Sequence, residues 1–289
     1  MNQDARVVFV FVDGLGLGSD DPAANPVHGG ACPCLDRLLR DHAVPVDAGL
    51  GVAGRPQSAT GQTALLTGVN AAALVGRHVE GFPGAALKEA IRRDNLFLRV
   101  QALGRRATFA NAYFIRDPQE LQQARRQSVT TVAALSAFGC VRTVADLERG
   151  EAVYQDLTRA ILRTRGYAGP LVTPREAAEH LIGIARGHAL TLFEYFQTDR
   201  AGHGGDPARV RQVLGELDAF LARLIALCEA EDMTFVLTSD HGNIEDPAGA
   251  GHTLNPVPFV ALGPQSDALS RQVKSLTDVT PALLSLWAG

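Results

Sequence analysis

The amino-acid sequence predicts an α/β protein, in which a largely parallel central sheet is flanked by helices to form a three-layer sandwich. Short apolar runs alternate with segments of helical periodicity along the chain, and this alternation is typical of parallel sheets covered by helices. The run 6–12 is nearly continuous in β-branched and aromatic residues, as in a central strand that is buried on both faces. Acidic residues follow three of the apolar runs, at the strand ends where such folds bind ligands.

Strands are predicted from apolar runs that are bounded by glycine, proline or charged residues. They span 6–12, 43–51, 106–113, 189–196, 233–237 and 257–262.

Helices are predicted from periodicity together with start and stop signals. Ser58 is a good N-cap for a helix over 59–66, which Gly68 ends. Thr173 caps the helix 173–187, and Pro174 occupies its first turn. The other predicted helices are 34–42, 95–103 before Gly104, 117–126, 129–138, 144–165, 206–228 and 277–286, the last with Asp278 and Pro281 near its start.

The predicted domain organisation follows from the positions of the candidate functional residues in the sequence. Candidate functional residues are found in 1–113 and 172–289, which are predicted to form one discontinuous core. The stretch 114–171 is helical in periodicity and carries no recognisable site, so it is predicted to be a small helical insert or cap.

Composition and charge exclude several classes of protein. The 289 residues carry a net charge of -4 with both signs interspersed, so no nucleic-acid partner is expected. The four cysteines do not form a disulfide framework in a chain of this length. The first apolar run is too short for a signal peptide, and no stretch approaches the roughly 20 apolar residues of a membrane span. We therefore expect no membrane partner and a reducing, cytoplasmic location.

Three acidic residues lie at the ends of predicted strands. Asp13 ends the strand 6–12, Asp199 follows 189–196, and Asp240 follows 233–237. The carboxyl ends of parallel strands share one edge of the sheet, so these side chains are expected to lie close together. Four further candidates join them in the sequence: Ser58, His203, His241 and His252.

This set of side chains predicts a site for two divalent metal ions. Mixed carboxylate and imidazole ligands favour Mn²⁺ or Zn²⁺ over Mg²⁺ or Ca²⁺. In two-metal sites the ions lie roughly 4 Å apart and stabilise the attacking and leaving oxygens of a displacement. Ser58, activated by one ion, would act as a nucleophile. Its place at a helix N-terminus would stabilise a phosphoserine, because the free N–H groups and the helix dipole favour an anion.

Each of these residues also has a purely structural interpretation. Asp13 alone could cap a loop, and Ser58 could be a helix N-cap and nothing more. Asp199 and His203 could be an ordinary helical pair, and a lone histidine such as His252 is more often structural than a ligand. Their joint placement at three strand ends favours the functional interpretation.

The motifs around these residues resemble those of the alkaline phosphatase superfamily, in particular its cofactor-independent phosphoglycerate mutase and phosphopentomutase branch. Residues 238–243, TSDHGN, resemble the SDHG(N) signature, and 251–259, GHTLNPVPF, are similar to the HTxNPVPF motif of the mutases. Residues 199–203, DRAGH, resemble DxxGH, and 12–16, VDGLG, resemble VDGxG. Residues 58–68, SATGQTALLTG, resemble the nucleophile segment, with Thr60 as a weaker alternative nucleophile.

The resemblance implies an alkaline phosphatase-like core and assigns the candidates to two metal sites. One site would contain Asp13, Ser58, Asp240 and His241, and the other Asp199, His203 and His252. Members of the family use Mn²⁺ or Zn²⁺ there.

The sequence also departs from its relatives. The large mutases insert a substrate-binding domain rich in Arg and Lys, whereas this chain has only the stretch 114–171. Arginines in or beside that stretch are candidate substrate contacts, although none maps onto a family motif: Arg116, Arg125, Arg126, Arg142, Arg159 and Arg163. The sulfatase motif is absent at Ser58, and Gly61 stands where the phosphodiesterase branch has Asn.

Four functional hypotheses follow. The first is a two-metal phosphomonoester hydrolase that forms a phosphoserine at Ser58 and acts on a small phosphorylated metabolite. The second is a phosphomutase with the same nucleophile, which requires a site closed to water. A non-catalytic, metal-bound binding protein and a metal-free Ser-His-Asp hydrolase are the third and fourth. Candidate phosphate contacts are Arg55, Arg77, His78 and Arg200.

Overall fold

The computed structural model describes residues 5–115, 118–249 and 251–288. Its strands are β1 (Val7–Val12), β2 (Val44–Val46), β3 (Ala107–Phe109), β4 (Ala112–Tyr113), β5 (Arg142–Thr143), β6 (Leu190–Tyr195), β7 (Thr234–Thr238) and β8 (Val257–Leu262). Its helices are α1 (Pro33–His42), α2 (Ser58–Thr67), α3 (Ala71–Val75), α4 (Ala85–Arg93), α5 (Leu96–Ala102), α6 (Pro118–Gln123), α7 (Val129–Phe138), α8 (Val144–Glu148), α9 (Ala160–Thr164), α10 (Pro174–Ala185), α11 (Gln197–Gly204), α12 (Pro207–Ala230), α13 (Ser266–Gln272) and α14 (Leu276–Leu284).

The central sheet has six strands in the order β2-β8-β7-β1-β6-β3. β1 pairs in parallel with both β6 and β7, so that Val7 lies opposite Leu190 on one side and Thr234 on the other. β3 continues the parallel part next to β6, whereas β8 runs antiparallel to both β7 and β2. The predicted largely parallel sheet is thus confirmed.

The two faces of β1 bury its side chains in two separate cores. Val7, Phe9 and Phe11 belong to a core with residues of α2, α4, α5, α7 and α14. The alternate residues Val8 and Val10 pack with α1, α10 and α12 on the other face. Because β1 is buried on both sides, it carries no polar residue until Asp13. The three layers of the predicted sandwich are therefore present.

Two predicted strands are shorter than expected or interrupted. The strand 43–51 is reduced to β2, because the chain turns at Leu50 and Gly51, where φ is 53° and 66°. The strand 106–113 divides into β3 and β4. Between them the amide of Asn111 takes the place of backbone pairing, accepting from Glu194 N (2.8 Å) and donating to Glu194 O (2.7 Å).

The helix predicted over 144–165 is wrong. It consists of α8 and α9, separated by an irregular segment in which Gly150, Leu157 and Arg159 have φ of 73°, 63° and 66°. Left-handed backbone cannot continue an α-helix, and sequence periodicity does not report it. The prediction for 117–126 falls partly outside the described residues, and α6 covers residues 118–123 of it. The helices α3, α4, α11 and α13 were not predicted.

The stretch 114–171 does not pack as one unit. α7 lies in the main core, with Val129 and Val132 buried against the face that also holds α2. A separate small cluster contains Leu147, Tyr154, Leu162 and Tyr167. The domain boundaries at 113 and 172 therefore stay a prediction. Among the described residues, none of the helices combines the length and apolar character that a membrane span requires.

Candidate metal centre

The three acidic residues lie together at the carboxyl edge of the sheet. Asp13 directly follows β1, Asp240 lies two residues beyond the end of β7, and Asp199 lies in the first turn of α11 after β6. Parallel pairing of β1 with both neighbours brings these ends side by side. The carboxylates thus converge on one point, as the sequence predicted.

The first cluster contains Asp13, Asp240 and His241, all of them buried. His241 Nε2 lies 3.2 Å from Asp13 Oδ1 and 3.6 Å from Asp240 Oδ2. Ser58 Oγ lies 3.0 Å from the same nitrogen. Four residues that the sequence assigned to one site therefore surround a single small volume.

The charges in this cluster strongly perturb the ionisation of its members. Burial, followed by repulsion from Asp240, holds the pKa of Asp13 well above its usual value. Burial also raises the pKa of Asp240. Burial alone would lower the pKa of His241, but the neighbouring carboxylates of Asp240 and Asp13 raise it to about 10. The two buried carboxylates thus concentrate negative charge around the His241 ring.

The second cluster contains Asp199, His203 and His252. The Nε2 atoms of the two histidines lie 3.1 Å apart, and each lies 3.4 Å from Asp199 Oδ1. His252 Nδ1 is held by Pro56 O at 2.9 Å, which aims Nε2 at the carboxylate. Burial raises the pKa of Asp199, but the bond from His252 and the charge of His241 outweigh it and lower that pKa to about 2.

His241 connects the two clusters. Its ring stacks on that of His252, with centroids 3.6 Å apart and an interplanar angle of 15°. Ligand atoms of Asp199, His241 and His252 also lie within 4.8 Å of one another, so His241 belongs geometrically to both groups. The assignment of His241 to the site of Asp13 and Asp240 stays a prediction.

Helix α2 presents Ser58 to the first cluster. Ser58 is the first helical residue and Gln57 the N-cap, so the prediction that Ser58 caps the helix is wrong. This one-residue shift leaves the Ser58 hydroxyl free to point at His241 while its backbone stays at the helix N-terminus. The alternative nucleophile Thr60 is fully buried, and its hydroxyl donates to Gln57 O (3.1 Å).

Gly61 allows α2 to approach the metal centre closely. A Cβ at this position would lie 2.7 Å from Asp240 O and 3.0 Å from Asp240 Cβ. Glycine is therefore required by packing here, and the absence of the asparagine found in the phosphodiesterase branch has a physical reason.

Two amide side chains that support the ligands were not recognised in the sequence. Gln62 Nε2 donates to Asp13 Oδ2 (3.2 Å) and Asp240 Oδ2 (3.0 Å). Asn243 Nδ2 donates to Asp199 Oδ1 at 2.6 Å. Gln62 lies four residues after Ser58 and hence on the same helix face, a signal that was present in the sequence.

Glu245, which was also missed, ties together three loops that carry ligands. Its Oε2 accepts from Gly16 N (2.9 Å) and Asn243 N (2.7 Å), and its Oε1 accepts from Thr253 Oγ1 (2.5 Å) and Asn255 Nδ2 (3.1 Å). Glu245 is 1% exposed, so these bonds replace its hydration. The Thr and Asn of the HTLNPVPF segment thus hold the loop of His252 against the loops of Asp13 and Asp240.

A cavity of about 450 Å³ opens over the site, with Asp13, Ser58 and Asp199 among its lining residues. Of the four candidate phosphate contacts, Arg200 lines this cavity. Arg55 lines a different depression, and His78 Nε2 lies 3.1 Å from Val52 O; neither these two nor Arg77 lines the cavity in the described part of the chain.

The arginines of 114–171 also take up different positions. Arg126 lines the cavity, as does Arg165, which was not singled out. Arg142, Arg159 and Arg163 bond to backbone carbonyls of Phe109, Leu147 and Gly169 respectively. Arg125 supplies a carbonyl to Lys88, and Arg116 lies outside the described residues.

The residues present fit divalent metal ions. Asp13 Oδ1 is buried without a hydrogen-bond partner, and the carboxylates of Asp13 and Asp240 share one amide donor. A buried carboxylate oxygen without a hydrogen bond is costly, and a metal ion bound to it would remove that cost. Oxygen and imidazole nitrogen are the donors here, a set typical of Mn²⁺ or Zn²⁺ sites.

Comparison with known proteins places the chain in a family. A family model described as the Metalloenzyme superfamily matches residues 5–288. The chain belongs to the Metalloenzyme superfamily. Its members carry divalent metal ions, and the alkaline phosphatase-like resemblance of the motifs is thereby confirmed.

Relatives in this superfamily include phosphoglycerate mutases. The 2,3-bisphosphoglycerate-independent phosphoglycerate mutase of Gloeobacter violaceus is 31% identical over 133 residues, which are 40% of this chain and 25% of that enzyme. The enzyme of the same name from Mycoplasma pneumoniae is 35% identical over 122 residues, covering 40% and 24%. The similarity thus spans about a quarter of these curated relatives.

Solved structures share the fold along nearly the whole chain. Alkaline phosphatase from the Antarctic bacterium TAB5 superposes with a TM-score of 0.58 and 11% identity, covering 98% of this chain and 99% of that one. Phosphoglycerate mutase from Leishmania mexicana gives a TM-score of 0.54 and 13% identity, covering 98% and 95%. At such identities the likeness concerns the fold alone, and it confirms the predicted α/β class.

Proposed function

We propose that this chain is a two-metal phosphomonoester hydrolase that transfers the phosphoryl group to Ser58. One observation carries the proposal: Ser58 Oγ lies on the floor of the cavity, 3.0 Å from His241 Nε2, at the first residue of a helix. A hydroxyl at this point lies beside the candidate metal ligands and at the N-terminus of α2, where the helix dipole favours an anion.

The candidate residues have separate roles in this proposal. Asp13, Ser58, Asp240 and His241 would hold one ion, and Asp199, His203 and His252 the other, as Mn²⁺ or Zn²⁺. When bound, the ions would lower the pKa of the Ser58 hydroxyl and neutralise charge on the phosphoryl oxygens. Gln62 and Asn243 would keep the carboxylates oriented, as they do in the structure.

The reaction then follows from the position of Ser58. The Ser58 oxygen forms a bond to phosphorus while the bond between phosphorus and the ester oxygen breaks. The ester oxygen takes a proton from solvent and leaves as the alcohol. The hydroxyl proton of Ser58 is released to solvent. Water then attacks the phosphoserine, which frees phosphate and restores Ser58. The dipole at the N-terminus of α2 would stabilise the phosphoserine.

Arginines at the rim of the cavity would bind the phosphate oxygens. Arg200 is exposed and stacks over Phe196 at 4.9 Å, and Arg126 and Arg165 line the same cavity. No ion pair with a described carboxylate is found for these three arginines. They are free to attract a small phosphorylated metabolite.

A phosphomutase is the second candidate, and the 31% and 35% identity to phosphoglycerate mutases favours it. A mutase must exclude water from its phosphoserine. Phe82 and Phe114 at the cavity lining are 50% and 38% exposed, so the site is open to solvent and hydrolysis is the better supported outcome.

The test is the first prediction: Ser58→Ala abolishes both turnover and phosphoenzyme formation in protein reconstituted with Mn²⁺ or Zn²⁺. Activity is measured as phosphate released from a panel of phosphomonoesters, and the phosphoenzyme is trapped with acid and located by mass spectrometry. Loss of the nucleophile on the cavity floor is expected to lower the rate by at least about a thousandfold.

Thr60→Val is the matched control, because it removes the alternative hydroxyl and leaves Ser58 in place. It should retain activity and the phosphoserine. Full activity of Ser58→Ala would refute the assignment of the nucleophile. Isomerised phosphoglycerate without phosphate release would establish the mutase, and no turnover of any ester by the metal-loaded protein would favour a non-catalytic binding protein.

A further inference from the structure

The cavity above Ser58 is lined by an unusual number of aromatic side chains. The chain is only 6% aromatic, yet six aromatic residues line this one cavity: Phe82, Phe109, Tyr113, Phe114, Tyr154 and Phe196. Its volume of about 450 Å³ lies within the range of about 300–1,000 Å³ that is typical of sites for drug-sized ligands. The space is larger than a phosphate group needs.

Two of these aromatic residues are exposed. Phe82, in the loop between α3 and α4, is 50% exposed, and Phe114, just after β4, is 38% exposed. Among the described residues they are the only aromatic side chains that are both large and exposed to this degree. Exposed aromatic rings at the rim of a cavity mark a surface that gains free energy when an apolar group covers it.

Most of the uncharged polar side chains of the cavity wall are already engaged by the protein. Both amide atoms of Asn111 bond to the backbone of Glu194. Gln127 Nε2 donates to Leu121 O (2.8 Å), and the amide of Gln155 bonds to that of Gln197. The Tyr113 hydroxyl pairs with Thr131 Oγ1 at 2.7 Å. Apart from the three arginines assigned to the phosphate oxygens, a leaving group rich in hydroxyls would find few free partners here, whereas a flat apolar group would meet ring faces.

From these observations we propose that the site is built for phosphomonoesters whose leaving group carries an aromatic ring, and that Phe82 and Phe114 contact that ring. The proposal rests on the function proposed above, because it places the phosphoryl group at Ser58. It adds the chemical class of the leaving group, which would lie between the two phenylalanines and the buried rings of Phe109 and Tyr154.

The proposal is tested by binding, which does not depend on turnover. Phenylphosphonate and methylphosphonate share the phosphoryl group and differ in the ring, and neither is hydrolysed at phosphorus. Their affinities for the Mn²⁺-loaded protein are measured by titration calorimetry. We expect phenylphosphonate to bind at least about tenfold more tightly, because the ring is buried against apolar and aromatic surface.

Variants test which residues cause the preference for phenylphosphonate. Phe82→Ala and Phe114→Ala should each remove most of the preference for phenylphosphonate and leave the affinity for methylphosphonate unchanged. Leu103→Ala is the matched control, because Leu103 is 40% exposed at the end of α5 and does not line the cavity. It should change neither affinity. The oligomeric state of each variant is checked, since exposed rings could instead form an interface between two copies of the chain.

The outcomes separate this proposal from the proposed function. Equal affinities for the two phosphonates, no binding of either, or a preference that survives both Phe variants would overturn the aromatic site. So would variants that change only the oligomeric state. Hydrolysis of phenyl phosphate and glycerol phosphate is measured in parallel: equal rates with both esters contradict the aromatic site alone, while a ring preference in binding without any hydrolysis contradicts the proposed function alone.

Discussion

At the scale of single residues, two positions beside the metal centre are constrained by how closely the chain packs there. Gly61 lets α2 approach the backbone of Asp240, and burial raises the pKa of Glu194, in the wall of the cavity, to about 7. Each has a consequence that can be measured in the folded protein.

Gly61→Ala is predicted to destabilise the protein and weaken its metal binding. The new Cβ would lie 2.7 Å from Asp240 O, so α2 or the Asp240 loop must move. Overpacking of this kind costs about 1–3 kcal/mol, measurable as a lower free energy of unfolding in urea. Gly183→Ala is the control: Gly183 lies in α10, where an added Cβ would meet no other atom within 4 Å, and alanine should stabilise that helix by about 0.5–1 kcal/mol. Equal effects of the two variants would contradict the packing argument.

Glu194 is predicted to reduce stability as the pH rises. Burial raises its pKa from 4.5 to about 7, although a hydrogen bond from Thr130 opposes the shift. The folded state therefore binds the proton more tightly than the unfolded chain. The contribution of Glu194 to the free energy of unfolding is complete below pH 4.5 and is lost progressively up to about pH 7.

The measurement compares Glu194→Gln with the parent protein in urea at pH 5 and pH 8, in metal-free buffer. The amide stays neutral and can still accept a hydrogen bond from Thr130. The free energy of unfolding of the variant, relative to that of the parent, should therefore be higher at pH 8 than at pH 5 by a few kcal/mol. A difference in stability that does not change with pH would show that Glu194 is not protonated in the folded state.

At the scale of secondary-structure elements, the strands supply the positions and the loops after them supply the ligands. Those loops are irregular, and Glu245 holds three of them in register through four hydrogen bonds. Outer hydrogen bonds of this kind orient metal ligands without contacting the metal.

Glu245→Gln is therefore predicted to weaken Mn²⁺ binding by about 10-fold to 100-fold. The amide nitrogen replaces an acceptor and leaves buried donors unpaired, which costs about 1–3 kcal/mol. Binding is measured by titration calorimetry. Glu216→Gln is the control, since Glu216 accepts a hydrogen bond from Gln212 on α12, away from the site. Unchanged Mn²⁺ affinity in a folded Glu245→Gln protein would exclude the positioning role.

At the scale of the whole molecule, the site joins distant parts of the chain. Ser58 and His241 are 183 residues apart, and Gln62 and Asp240 are 178 apart. Metal ions at this point would cross-link α2, α11 and the loops after β1 and β7, so folding and metal binding should be coupled.

Removal of metal is predicted to lower the unfolding temperature. A ligand at about 100 times its dissociation constant stabilises the native state by about 2.7 kcal/mol, which corresponds to about 4–5 °C for a chain of this size. The transition is recorded by calorimetry in EDTA and after addition of Mn²⁺ or Zn²⁺. In Asp240→Asn, most of the increase in unfolding temperature that metal produces should be lost. An unfolding temperature that is indifferent to EDTA and to added metal would contradict the two-metal site.

Local residue patterns were enough to predict the fold class and to pick out side chains that meet at the carboxyl edge of the sheet. Buried parallel strands need continuous apolar runs, so β1, β6 and β7 could be predicted from the sequence. The ends of these strands then identified Asp13, Asp199 and Asp240 as candidates. Helix periodicity also placed α7 and α10. These features depend on residues that are close together in the sequence, where propensity and spacing carry the information.

Contacts between distant residues could be seen only in the folded protein. It showed that Asn111 replaces backbone pairing, that residues 144–165 are broken by left-handed backbone, and that α7 belongs to the main core. It also showed that His241 lies between both clusters, that Glu245 joins three loops, and that aromatic rings gather above Ser58. The physical reason is the same in each case: long-range packing and hydrogen bonding set these contacts, and no local periodicity records them.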